Sequence, residues 1–159
     1  MQNTPVSITL PTSAPASEPT VSHEAIKRRH QGTHLTADLA GCAAGHPWMC
    51  QPEALRAACL QAVAQAGLQT VGDRFHGFEP AQGQQTAGVT GVVLLAESHL
   101  AVHTWPELGV VTLDVFVCNL LSDNAERAQT LLDQLVAGFA PLQQARQAIC
   151  RAIPDAAST

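Results

Sequence analysis

The stretch from residue 91 to 118, GVVLLAESHLAVHTWPELGVVTLDVFVC, constrains the fold more than any other part of the chain. Two apolar runs, at 92–95 and 110–117, enclose a segment that carries Ser98, His99, His103, Trp105 and Glu107 within ten residues. Short Val, Leu and Phe runs broken by Pro106 and Gly109 are the pattern of strands joined by a tight turn. Reactive side chains set between buried strands make Ser98 the candidate functional centre.

The flanking chain supplies the other elements. Residues 33–39 alternate as a first strand containing His34, and 41–52 form an irregular connection with Cys42, His46 and Cys50. The C-x3-H-x3-C spacing lacks a fourth ligand, so these are read as loop residues and no metal is assigned. Residues 52–66 are predicted as a helix, with Leu55, Cys59, Leu60 and Val63 at helical spacing and Gly67 as its stop. A strand over 68–78 leads into the polar loop 81–87, AQGQQTA. Strands follow at 89–95, 99–104 and 110–117, with a turn at 106–109. A second helix over 122–139 has Ser122 as its cap and Leu131, Leu132, Leu135 and Val136 as its buried stripe. Residues 143–153 fit either a last strand or a short helix. Strands in runs with two helices imply an α+β fold, an antiparallel sheet with two helices packed on one face. Residues 1–31, rich in Pro, Ser, Thr and Ala, are expected to be a disordered extension, 32–153 the domain and 154–159 a tail.

Composition bounds the class. The 159 residues suffice for one core without disulfides. A net charge of −5 and a pI near 5.7 argue against a nucleic-acid surface. The basic cluster Lys27-Arg28-Arg29-His30 is read as a solvated charge run. No run is long enough for a membrane helix, and the start lacks the marks of a secretory signal. Five cysteines without framework spacing indicate reduced thiols. A cytoplasmic location is the expectation.

Three chemistries fit the residue types. Ser98, His103 and Asp114 could serve a serine hydrolase, but the G-x-S-x-G elbow is absent. His99 and His103 share a strand face, yet without H-E-x-x-H a hydrogen-bonded pair is the better reading than a metal site. In the third, the Ser98 hydroxyl attacks the Glu97 carbonyl, converting the amide to an ester. Elimination then leaves dehydroalanine, which hydrolyses to a pyruvoyl group. A strained turn, an imidazole and a hydroxyl donor would be required, and Ser98, His103 and Thr90 are suitable types.

The segments Gly88-Val89-Thr90-Gly91-Val92-Val93, Ala96-Glu97-Ser98-His99-Leu100, His103-Thr104-Trp105-Pro106-Glu107 and Asp114-Val115-Phe116-Val117-Cys118 stand in an ordered spacing. Upstream lie Gly32-Thr33-His34-Leu35 and Phe75-His76-Gly77-Phe78-Glu79-Pro80. Over residues 32–140 this pattern resembles the short prokaryotic S-adenosylmethionine decarboxylase proenzymes. The resemblance implies a two-layer sandwich and self-cleavage between Glu97 and Ser98. Ser98 would become a covalent pyruvoyl group, so that no diffusible cofactor is needed. It also implies a processing role for His103 supported by Thr90, with Cys118 as the catalytic acid that reprotonates the substrate α-carbon. Phe78 and Trp105 would offer faces to the adenine ring and sulfonium, and Glu107 would bind ribose hydroxyls or a substrate amine. The implied activity is decarboxylation of S-adenosylmethionine for polyamine synthesis. The partners are a small-molecule substrate and a second copy, as a homodimer of processed protomers, with no nucleic acid and no membrane.

Some positions depart from the family pattern. Asn119 follows the cysteine where Gly is usual, 108–112 lacks the usual aromatic, and 81–87 looks like an insertion beside the substrate region. Two rivals follow: the same pyruvoyl chemistry on ornithine or arginine, and a non-catalytic regulatory paralogue.

Overall fold

The structure, a computed structural model, describes residues 31–119 and 123–152. Six strands form one sheet: β1 (Gln31–Ala40), β2 (Thr70–Gly77), β3 (Val89–Leu95), β4 (Ser98–Trp105), β5 (Val110–Cys118) and β6 (Gln143–Ala152). Their spatial order is β2-β3-β4-β5-β1-β6, and every neighbouring pair is antiparallel. Three helices, α1 (Pro47–Cys50), α2 (Pro52–Gln65) and α3 (Ala125–Phe139), complete the described fold. The expected α+β architecture is what the chain adopts.

Strict alternation divides the sheet into two faces. Leu35, Ala37, Leu39, Val93, Leu100, Val102, Val111, Leu113, Val115 and Val117 are buried beneath the helices. Against them α2 lays Leu55, Cys59, Ala62 and Val63, and α3 lays Ala128, Leu131, Leu132, Leu135, Val136 and Phe139. Positions of opposite parity, including His34, Asp114, Phe116, His99 and His103, stand on the face that no helix covers. Pro52 opens α2, and Gly67, at φ 70, lies just beyond its end. Ala140 ends α3 in the left-handed region at φ 48, and Pro141 prevents its continuation.

Three expectations need correction, and one left open is resolved. The connection 41–52 is not wholly irregular, because it holds α1. His46 caps that helix, its Nδ1 accepting from the Trp48 N–H at 3.2 Å, while Pro47 presets the first turn. The last helix begins at Ala125, with Asn124 at the cap position; Ser122 lies outside the described residues. Residues 143–152 are a strand that pairs with the whole of β1, so the first strand begins at Gln31. The edge position explains the ambiguity, since Gln144, Arg146 and Ala148 face the helix side without being buried. Of the extension expected over residues 1–31 only Gln31 is described, and it belongs to β1; residues 1–30 and the tail 154–159 lie outside the described residues.

One buried polar side chain ties these layers together. The Thr104 hydroxyl accepts from the Val89 N–H at 2.8 Å and donates to the Met49 carbonyl at 2.8 Å. It thereby joins β3, β4 and α1 beneath the free sheet face. Gly88 permits the approach, because a Cβ there would stand 1.9 Å from the Thr104 carbonyl oxygen. Replacing Thr104 with Val keeps the shape but orphans both partners, which costs about 1–3 kcal/mol. Thermal unfolding of Thr104→Val should show a Tm several degrees below wild type; an unchanged Tm contradicts this role.

Candidate active site

A two-residue loop, Ala96-Glu97, connects β3 to β4, whose last pair is Leu95 opposite Ser98. So short a connection between twisted strands calls for positive φ within the loop. Glu97 takes it, at φ 62, a conformation that costs a non-glycine residue about 1–2 kcal/mol. The peptide bond between Glu97 and Ser98 therefore follows a strained residue. Ser98 is half-buried, and its Oγ accepts the Cys118 N–H at 3.0 Å. That donor fixes the position of Oγ and eases loss of its proton. Beside the hairpin is a pocket of about 400 Å³ lined by Gln69, Glu97, Cys118, Asn124 and Arg127 among others. Cys118 is half-buried and reduced, whereas burial pushes the Cys59 thiol up to about 12 and raises that of Cys42. Those two are packing residues.

A second group stands at the other end of β4. Register places Thr90 opposite His103, and Thr90 Oγ1 lies 2.8 Å from His103 Nδ1. On the other side of Thr90 is His76 of β2, so a row His76–Thr90–His103 crosses three strands. Next to it opens a pocket of about 510 Å³ lined by Phe78, Glu79, Gln84, Trp105 and Glu107 as well as Thr90 and His103. Phe78 is 55% exposed and Trp105 37%, which leaves both rings available to a ligand. The loop 81–87 supplies Ala81, Gln84 and Ala87 to this pocket's wall.

Within one chain the two groups do not meet. Five residues at a strand's rise separate Ser98 from His103 by about 16 Å. The odd spacing also turns them to opposite faces, Ser98 with the buried parity and His103 with the free one. The hydrolase trio is not assembled either. Asp114 Oδ1 is 3.0 Å from His34 Nε2, and His103 is held by Thr90. His99 and His103 likewise have separate neighbours. His99 tilts over Phe116 at 5.6 Å between ring centroids, and burial, then the charge of His34, lowers its pKa. The sequence reading assigned no role to His76, to the His34–Asp114 pair or to Arg127. The strand register brings His76 into view, a contact spanning 80 residues pairs His34 with Asp114, and the pocket beside the hairpin brings in Arg127.

The strain at Glu97 is measurable. In a Ser98→Ala chain, which lacks the nucleophile, Glu97→Gly should raise stability by about 0.5–1 kcal/mol. Denaturant unfolding checks this, and a fall in stability contradicts the strained turn.

Comparison with known proteins gives a consistent result. The profile of the family described as S-adenosylmethionine decarboxylase matches residues 33–148. The S-adenosylmethionine decarboxylase proenzyme of Pyrococcus furiosus is 31% identical over 118 residues, 74% of this chain and 79% of that protein. The proenzyme of that name from Pseudomonas aeruginosa is 42% identical over 76 residues, 48% of this chain but only 44% of its own length. This chain thus matches less than half the length of the Pseudomonas relatives. The crystal structure of the adenosylmethionine decarboxylase from Aquifex aeolicus VF5 aligns with a TM-score of 0.67 at 31% identity, covering 82% of this chain and 98% of that one. The chain belongs to the S-adenosylmethionine decarboxylase family.

Proposed function

We propose that the chain is a self-cleaving proenzyme whose product, a dimer of processed protomers, decarboxylates S-adenosylmethionine. The observation that carries this reading is the left-handed Glu97 directly before a serine whose Oγ is already held by the Cys118 N–H. Oγ attacks the Glu97 carbonyl and the amide becomes an ester, which frees the Ser98 amine. Loss of the Ser98 α-proton expels the Glu97 carboxylate and leaves dehydroalanine. Addition of one water and release of ammonia then convert the Ser98 remnant to a pyruvoyl group. This group supplies an electron sink for the charge left when carbon dioxide departs. The half-buried, hydrogen-bonded Ser98 beside an open pocket suits its formation and its use.

The base for elimination is the part a single chain lacks, since its own His103 is remote. In the reading proposed here, two uncovered sheet faces pack together about a two-fold axis that lies between them. If the axis crosses the strands near Leu100 and Ala101, each Ser98 comes level with the partner's His103. Leu94 and Ile149, which are exposed on that face, would be buried in the contact. His103, oriented by Thr90, then takes the Ser98 α-proton of the other chain. Cys118 delivers a proton to the substrate α-carbon after decarboxylation. Phe78 and Trp105 receive the adenine ring and the sulfonium, which aromatic faces attract. Glu107 meets the ribose hydroxyls, and the carboxylates of Glu79 and Glu107 favour a cationic ligand in the same pocket. Among the described residues no helix is long and apolar enough to cross a membrane. We assign the enzyme to the cytoplasm.

A shared site makes a sharp prediction. His103→Ala chains alone should stay uncut, and so should Ser98→Ala chains. Co-expressed, they form mixed dimers with one intact composite site. The His103→Ala chain should then be cleaved, visible as two fragments by mass. No cleavage in the mixture, or full cleavage of His103→Ala alone, contradicts a base supplied by the partner.

A further inference from the structure

Cleavage at the hairpin creates an anion where there was a neutral amide. Residue 97 ends with its side-chain carboxylate and a new α-carboxylate, and the backbone that held it at φ 62 is released. The pocket beside the hairpin is lined by both Glu97 and Arg127, the latter in the first turn of α3.

We propose that this pocket is a carboxylate site in which Arg127 captures the new α-carboxylate of Glu97 after self-cleavage. The proposal rests on the cleavage reading above. Arg127 Nη1 donates to Asn124 Oδ1 at 3.2 Å. Among the described residues no carboxylate stands within ion-pair distance of Arg127, although its guanidinium carries five N–H donors in a fork that matches a carboxylate. Asn124 also donates through Nδ2 to the Cys118 carbonyl at 2.9 Å. The same residue thus braces Arg127 and the strand end whose N–H holds Ser98 Oγ. The substrate's own carboxylate is a poor occupant, because a guanidinium on it would stabilise the ground state and oppose loss of carbon dioxide. The chain end is the anion that suits the site. Arg127 is then a positioning residue that fixes the severed strand end.

Carboxypeptidase digestion of the cleaved protein tests this by the intact mass of the N-terminal fragment, with trimming of the other chain as internal control. Wild type should release Glu97 slowly, Arg127→Gln about fivefold faster, and Arg127→Lys at an intermediate rate. Equal release from wild type and Arg127→Gln overturns the proposal. Should Arg127→Gln remain uncut, the wild-type protein in high salt carries the test. Release of Glu97 relative to the control should rise severalfold as the ion pair is screened, and an unchanged ratio overturns the proposal. A wild-type chain that is never cleaved refutes the underlying reading instead.

Discussion

β4 is hydrogen-bonded along both edges, with Thr90 opposite His103 on one side and His99 opposite Phe116 on the other. This double register governs the rest of the molecule. It sends Leu100, Val102 and Thr104 into the helix layer and His99, His103 and Trp105 away from it. A slip of one residue would exchange the two sets, exposing the core and burying the imidazoles. The buried Thr104 hydroxyl guards against that slip, since it reaches both Val89 and Met49 only in this register. The two-residue loop before β4 is short for the same reason: Leu95 must stand opposite Ser98, which leaves Glu97 to absorb the turn.

The same register divides the chemistry. Ser98 and Cys118 lie at one end of adjoining strands, and Thr90 and His103 lie at the other end of β3 and β4. Since 98 and 103 differ by an odd number, no bending of a regular strand can bring them to one face. In the proposed dimer a second chain, turned end for end, brings its His103 level with the Ser98 backbone, whose α-proton it takes, while the Ser98 side chain stays on the helix side. In the proposed dimer the sheet surface with His34, Asp114, His99 and Phe116 at its centre would be part of the contact.

Much of this was legible in the sequence, and the misses have physical causes. Residues 89–95 and 110–117 were readable as strands because they are short Val- and Leu-rich runs bounded by Gly and Pro. But Val92-Val93-Leu94-Leu95 is apolar at both parities, so the division of faces came only with the structure. Leu55, Cys59 and Val63 marked α2 by their helical period. The four residues of α1 span barely one turn, too few to show a period, and their cap is a histidine rather than the usual Ser or Asp. β6 pairs only on one side and carries Gln and Arg at both parities, so burial imposes no pattern on it. The grouping of Ser98 with Cys118 depends on a hydrogen bond between strands, and that of Arg127 with Glu97 on the approach of α3 to the hairpin. Neither leaves a local signal. The departure at 81–87 is more telling than its polar composition suggested, because Gln84 and its neighbours form a wall of the pocket that holds Phe78, Trp105 and Glu107.

The most direct test of the central claim is intact mass of the purified protein after incubation with S-adenosylmethionine, ornithine or arginine in the presence of borohydride. The account predicts two chains divided between Glu97 and Ser98, with a covalent adduct on the C-terminal one from S-adenosylmethionine. A single full-length mass contradicts the proenzyme reading, and an adduct from ornithine or arginine alone contradicts the assigned substrate.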